Sequence, residues 1–307
     1  MMKKNFISTI IPTYNRSEAL IKCLNALFNQ DYPKSQYEVI IIDDGSTDDT
    51  EQKVKSLIKN PDCSIKYLKQ ENKGPAAARN FGIKNAKGDI ILFIGDDIIT
   101  TPNFLKEHAL WHKKYPQKAI AILGHTTWSP ELEITPFMKW LENGGPQFHY
   151  QDLKHGKFVP YNYFYTSNIS LKKEFIKKKS FNELFPYAAY EDIELSFRLQ
   201  KAGLKIIYNK KAKAFHCHKI NLKNYSKRAV KAGIARALLA KLHKNFSINK
   251  KGSKEIILFN KITMPIWLLV GKIYETKKIS PKLFRKIYNC YFNKGIIMGL
   301  KQNFKHK

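Results

Sequence analysis

Apolar positions in the first third of the chain follow two rhythms. Short unbroken runs at residues 6–11 and 37–42 ("YEVIII") stop abruptly at Pro12 and Asn15 and at "DDGSTDDT", as buried strands do. Between them Ala19, Leu20, Cys23, Leu24, Leu27 and Phe28 recur on one helical face, with Ser17 placed to cap it. The rhythm repeats as a helix from Asp48-Asp49-Thr50 to about residue 59 and a short strand at 65–68. Next comes a helix in "GPAAARNFGIKNAKG", with Gly74-Pro75 at its start and Gly88 past its end, then a strand at 89–94 and a helix at 102–114. Unbroken strands alternating with helices predict an α/β fold, a Rossmann-like, mostly parallel central sheet with helices on both faces.

Beyond residue 118 the pattern loosens. "AIAILGHTTW", "YNYFYTSNISL" and "KIIYN" read as strands, and 190–203 as a helix closed by Gly203. Residues 128–151, rich in Pro, Gly and aromatics, read as a long loop or lid. Residues 222–243 and 255–300 read as basic helices. The expected organisation is a domain over 1–220, with a nucleotide-binding half to about 118 and an acceptor half over 119–220. A basic, amphipathic helical region over 221–307 follows it.

Charge sharpens that boundary. From Lys219 to Lys307 there are 22 Lys or Arg against Glu255 and Glu275, so +20 of the net +29 lies there. Such concentration points to an anionic partner, nucleic acid or a membrane surface. The bland alternative is a Lys-rich solvated face. No helix-turn-helix or RNP-like motif supports nucleic acid, whereas the mixture of Trp, Phe, Tyr and Ile with Lys in 255–288 suits an interfacial anchor. The longest uncharged apolar stretch near the C-terminus, 262–271, is about half of what a bilayer span needs. Four scattered cysteines with no paired spacing suit reduced thiols in a cytoplasmic protein.

Candidate chemistry collects where strands end. Tyr14, Asp43-Asp44 and Asp96-Asp97 all fall at carboxyl ends of strands, the rim on which such sheets bind ligands. The chain lacks GxxxxGK[ST], and its first turn lacks GxGxxG, which excludes an ordinary ATPase and a standard NAD enzyme. Carboxylates there can accept hydrogen bonds from a base or a ribose. They can also hold a hard divalent ion that clamps a diphosphate.

Together "TIIPTYNRSEALIKCLNALFNQDYP", "YEVIIIDDGSTDDT", "NKGPAAARNFGIKNAKGD", "ILFIGDDI" and "EDIELSFRLQKAG", in this order across residues 5–220, resemble a family 2 glycosyltransferase of the GT-A fold. The resemblance implies transfer of a sugar, with inversion, from a nucleotide-sugar donor, usually a UDP-sugar, to a glycan or lipid-linked acceptor. It implies a divalent cation, Mn or Mg. Pro12, Thr13 and Tyr14 would line the base pocket, Asp44 would bond the base with Asp43 behind it, and Arg79 would reach the base or diphosphate. Asp97 would hold the metal with His216, and Asp96 would lie near the ribose. Asp192 would be the general base, with Glu191 and Glu194 as competitors and Arg198 a structural ion-pair partner. Gly95 departs from the family's usual D-x-D. An enzyme acting on a lipid-linked acceptor would sit peripherally on the inner face of the cell membrane.

Other residues carry weaker signals. Asn168 and Trp128, like Trp140, Phe148 and Tyr150, could contact a sugar or pack. His108 and His112 share a helix face and read mainly as packing, with metal or phosphate binding as the alternative. Two other functions stay open on sequence: a non-catalytic nucleotide-sugar or glycan binder, favoured by Gly95, and a basic membrane- or nucleic-acid-binding protein. A sugar nucleotidyltransferase would need a glycine-rich phosphate loop, which "PTYNRS" is not.

Overall fold

The computed structural model describes residues 5–58, 63–147, 149–248, 280–302 and 304. Phe148 and the basic-aromatic stretch 255–279 lie outside the described residues. The chain divides into two compact units. The first holds residues 1–132, 152–183 and 192–218, and the second holds 133–151, 184–191 and 219–307.

In the first unit the expected alternation produces β1 (Ile7–Thr13), α1 (Ser17–Phe28), β2 (Tyr37–Asp43), α2 (Thr50–Leu57), β3 (Ser64–Lys69), α3 (Pro75–Asn85) and β4 (Ile90–Ile94). There follow β5 (Ile98–Thr100), α4 (Phe104–Lys114) and β6 (Ile120–Trp128). Strands β1, β2 and β4 are buried almost throughout, which is why their sequences do not alternate. They lie in the order β3-β2-β1-β4, all parallel, and Thr13 stands level with Asp43.

The sheet then turns mixed. After α5 (Pro136–Glu142) in the second unit come β7 (Phe158–Val159), β8 (Asn168–Lys172), α6 (Lys173–Ile176), α7 (Glu191–Lys201) and β9 (Lys205–His216). β8 runs antiparallel between β4 and β6, while β9 pairs parallel with β6 and antiparallel with β5 and β7. "YNYFYTSNISL" yields a strand only from Asn168, because a 3-10 turn at Tyr161–Tyr163 follows Pro160. "KIIYN" continues without a break to His216.

The second unit contains α5, α8 (Leu222–Leu242) and α9 (Pro281–Lys301). Residues 136–142, expected as loop, are helical because Thr135 Oγ1 accepts the Met138 N–H at 3.2 Å and Pro136 opens the first turn. α8 and α9 touch backbone to backbone: a Cβ on Gly233 would stand 2.0 Å from Phe292 O, and one on Gly295 2.0 Å from Val230 O. Phe137, Trp140, Tyr225, Phe284 and Tyr288 form its aromatic core. Trp140 is buried there, and its ring stacks on Phe137. No described helix is long and apolar enough to cross a membrane.

Candidate active site

The parallel strands deliver their last residues to one rim of the first unit. β1 ends in Pro12-Thr13, then exposed Tyr14 and Asn15. Asn15 tolerates a φ of 51°, and its Oδ1 accepts the Thr47 N–H at 2.8 Å, closing this loop onto the one after β2. Asp43 Oδ1 accepts the Ser46 N–H at 2.7 Å, and Tyr67 donates its hydroxyl to Oδ2. Burial and that carboxylate push the Tyr67 hydroxyl well above its ordinary range. Asp44 Oδ1 accepts from Gln70 Nε2 and the Lys73 N–H, and Oδ2 from the Gly74 N–H, at 2.7–2.9 Å. Asp44 thus organises the entry to α3. Two carboxylate oxygens have about four acceptor positions, so one remains beyond these three bonds.

Asp96 and Asp97 lie between β4 and β5, both buried. Thr13 Oγ1 donates to Asp96 Oδ2 at 2.9 Å. Ile98 pairs with His216 across β5 and β9, and the Cys217 N–H donates to Asp97 O at 3.0 Å. That register brings the end of β9 against Asp97. His216 Nδ1 stands 3.2 Å and His218 Nδ1 2.5 Å from Asp97 Oδ2. Arg16, just before α1, spans the pair, with Nη1 2.9 Å from Asp96 Oδ1 and Nη2 2.9 Å from Asp97 Oδ2. Burial pushes the Asp96 carboxyl up to about 6 against the pull of Arg16. Burial acts on Asp97 in the same sense, but His216, His218 and Arg16 hold its carboxyl well below the usual range.

Among the described residues, Asp97, His216 and His218 make one group able to hold a metal ion, their ligand atoms within 4.8 Å of one another. Two imidazole nitrogens converging on one ionised carboxylate oxygen fit a divalent cation. The glycine before the pair has a local cause: a Cβ on Gly95 would stand 2.9 Å from Asp97 Oδ1.

The other candidates are placed as follows. Asp192 is half-buried in the first turn of α7, where its Oδ1 accepts the Ile193 N–H at 2.8 Å. Tyr190, just before α7, sits at φ 66°, a costly conformation for an aromatic residue. Glu191 is buried. Glu194 is taken by Arg198, which donates from Nε and Nη2 at 2.8 Å, the ion pair expected for that arginine. Arg79 is buried on α3 with its guanidinium 5.4 Å from the Phe181 ring centre. Trp128 is buried with its ring 5.9 Å from that of His216.

Asn168 is fully buried and belongs to a different constellation. Lys172 Nζ donates to His112 Nδ1 at 3.2 Å, which leaves the His112 proton on Nε2 to reach Ser170 Oγ at 2.8 Å. The Ser170 hydroxyl then donates to His108 Nδ1 at 2.8 Å, and His108 Nε2–H donates to Asn168 Oδ1 at 3.0 Å. Asn168 Nδ2 donates to Ala212 O at 3.0 Å and His125 O at 3.3 Å. Every donor in this chain points the same way, so both ring nitrogens of each histidine are engaged and none is left for a metal, while Asn168 is fully buried with both ends of its amide engaged. Gly124 makes the room, since a Cβ there would meet the Asn168 amide at 2.2 Å.

Sequence reasoning placed neither Arg16 nor His218 in the site. Positions 216 and 218 share a face of an extended chain, which was the available signal for the latter. Arg16 lay inside the quoted "PTYNRS" with nothing local to mark it.

Known proteins resemble this chain in sequence and in fold. The model of glycosyl transferase family 2 matches residues 8–127. TarS of S. aureus (residues 1–349), solved with UDP, is 19% identical with a TM-score of 0.57 over 95% of this chain and 90% of that one. The mannosyltransferase PcManGT of Pyrobaculum calidifontis, solved with GDP-Man and Mn2+, is 15% identical with a TM-score of 0.65 over 98% of this chain and 88% of that one. These likenesses establish the GT-A fold. A Methanococcus voltae protein, dolichyl N-acetyl-alpha-D-glucosaminyl phosphate 3-beta-D-2,3-diacetamido-2,3-dideoxy-beta-D-glucuronosyltransferase, is 30% identical over 96% of this chain and 97% of its own. With identity at that level sustained over nearly the whole of both proteins, the chain belongs to glycosyl transferase family 2 and is a glycosyltransferase.

Proposed function

We propose that the enzyme transfers a sugar from a nucleoside-diphosphate donor, a UDP-sugar, to a hydroxyl of a glycan or lipid-linked acceptor, with inversion and with a divalent cation, Mn or Mg. The observation that carries this reading is the convergence of His216 and His218 on Asp97 beside Asp43, Asp44 and Asp96, on the rim where the parallel strands end. A UDP complex of TarS and a GDP-Man and Mn2+ complex of PcManGT support the donor class, and the acceptor named for the M. voltae relative supports a lipid-linked one.

The acceptor hydroxyl must lose its proton as its oxygen attacks the anomeric carbon. Asp192 takes that proton at a carboxylate oxygen, late in the transition state. The bond from the anomeric carbon to the phosphate oxygen breaks, and the leaving diphosphate keeps the electron pair. A single displacement of this kind inverts the anomeric centre. Asp97, His216 and His218 would hold the cation, which when bound screens the charge building on the diphosphate. Thr13 holds Asp96 through its hydroxyl and Asn15 ties the loop after β1 to the one after β2; in this reading Asp96 would face the ribose and the tied loops the base. Thermal shift with UDP-, GDP- and dTDP-sugars, with Mn2+ or with chelator, tests the reading. Stabilisation by one donor class only with metal, lost in Asp97→Ala, is the expected result; equal stabilisation with chelator would overturn it.

The acceptor reading extends to the second unit. Lys223, Lys227 and Lys231 lie along one exposed face of α8, and Lys282, Lys286 and Lys294 are exposed on α9, while neither helix contains an acidic residue. Such faces suit an anionic membrane surface, each Lys contributing about 1 kcal/mol near it. Flotation with vesicles containing anionic phospholipid should recover the enzyme, and flotation with neutral vesicles should not. Equal recovery would remove the electrostatic docking.

A further inference from the structure

Arg16 stands against the group that would hold a cation. Its Nη2 lies 2.9 Å from Asp97 Oδ2 and 3.4 Å from His218 Nδ1, while Nη1 lies 2.9 Å from Asp96 Oδ1. Asp97 Oδ2 therefore faces three nitrogens, those of Arg16, His216 and His218, with only about two acceptor positions to offer. A divalent ion shared by Asp97 and the two imidazoles would meet the guanidinium at close range, and two like charges cannot stay there. The arginine is the member able to leave. Its side chain is 38% exposed, whereas Asp97 is 6% exposed and His216 9%. It hangs from the loop before α1, so it can turn outward without disturbing a strand.

We propose that Arg16 is a resident counter-cation of the Asp96–Asp97 pair, exchanged for the divalent ion when the donor binds, and that the freed guanidinium then clamps the donor diphosphate. The proposal rests on the metal reading given above. Two physical points support the second half. A guanidinium presents a planar fork of donors that matches phosphate oxygens. That of Arg16 already stands 2.9 Å from both carboxylates, beside the group that would hold the metal and with it the diphosphate. The exchange couples the two ligands. Metal alone must expel a paired arginine and binds weakly, while metal with a nucleoside diphosphate gives that arginine a new anion and binds well. Arg16 in this account contacts the donor directly, and its signature is the coupling between metal and nucleotide, which is reciprocal.

The test is a Mn2+ titration followed by the EPR signal of free Mn2+, with and without UDP, on wild type, Arg16→Ala, Arg16→Lys and Asp97→Ala. Arg16→Ala should bind Mn2+ alone roughly tenfold more tightly than wild type, the scale of a charge-assisted pair removed. UDP should tighten Mn2+ binding clearly in wild type and much less in Arg16→Ala. Arg16→Lys keeps one charge without the fork and should fall between, which guards against a folding artefact in the alanine variant. Unchanged or weaker Mn2+ binding in Arg16→Ala, or full coupling to UDP in that variant, overturns the proposal while leaving the metal site standing. Absence of Mn2+ binding from every protein, with or without UDP, overturns the metal reading and this proposal with it.

Discussion

The buried chain Lys172–His112–Ser170–His108–Asn168 predicts a specific acid sensitivity. His108 is wholly buried, and burial pushes its pKa down to about 4, against an ordinary value near 6.5. His112 is shifted in the same direction by burial and by Lys172. An unfolded chain therefore binds protons between pH 6.5 and 4 that the folded protein refuses. Stability from this source is full above pH 6.5 and is lost as pH falls toward 4. For His108 alone the loss between pH 7 and pH 5 is about 2 kcal/mol, rising to about 3 kcal/mol below pH 4. Protonation would also break the order of donors, because Ser170 cannot donate to a nitrogen that carries its own hydrogen. Urea unfolding at pH 7 and pH 5 measures the effect in wild type and His108→Gln. The variant should be less stable at pH 7, by about 1–3 kcal/mol, through its unsatisfied neighbours. Its further loss on going to pH 5 should be smaller than that of wild type by about 2 kcal/mol. Parallel losses in the two proteins would refute the argument that His108 is neutral and structural.

Other consequences follow from close contacts. Gly295→Leu, whose Cβ would stand 2.0 Å from Val230 O, should destabilise the α8–α9 pair by about 3 kcal/mol and lower the thermal midpoint. Asp44→Ala leaves the Lys73 and Gly74 N–H groups and the Gln70 amide without their acceptor. It should cost about 2 kcal/mol in denaturant unfolding and weaken UDP binding by calorimetry. Gly95→Asp adds a carboxylate yet should weaken Mn2+ binding, because its Cβ presses on Asp97 Oδ1; tighter binding would show that the glycine is a lost ligand and not a spacer.

Much of this molecule was legible in its sequence, and the limits have physical reasons. The strands β1, β2 and β4 are buried on both faces, so each is an unbroken apolar run between turn residues. Their carboxyl ends carry Thr13, Asp43, Asp44, Asp96 and Asp97, so the rim could be read once the strands were. The mixed part of the sheet was harder. β5 has three residues and β7 two, too short for any periodicity. β9 carries Lys210, Lys211 and Lys213 on exposed positions, which hid its continuation to His216. Asn168 and the His108–His112 pair show a different limit. A polar residue inside an apolar strand signals either a ligand or a buried network, and only the partners decide. Here Ser170 and Lys172, next to Asn168 on β8, supply them. Arg16 was invisible for the opposite reason, since its partners lie about 80 residues away, across the sheet.

The central claim is that Asp192 accepts the acceptor's proton in a sugar transfer from a donor held at the Asp97 rim. The direct measurement is donor binding and transfer side by side in wild type and Asp192→Asn, using the donor and acceptor found for the wild-type enzyme. The account predicts unchanged donor affinity by calorimetry and a transfer rate reduced by about 10²–10⁴-fold, the scale of a lost general base. Transfer at the wild-type rate in Asp192→Asn would contradict it.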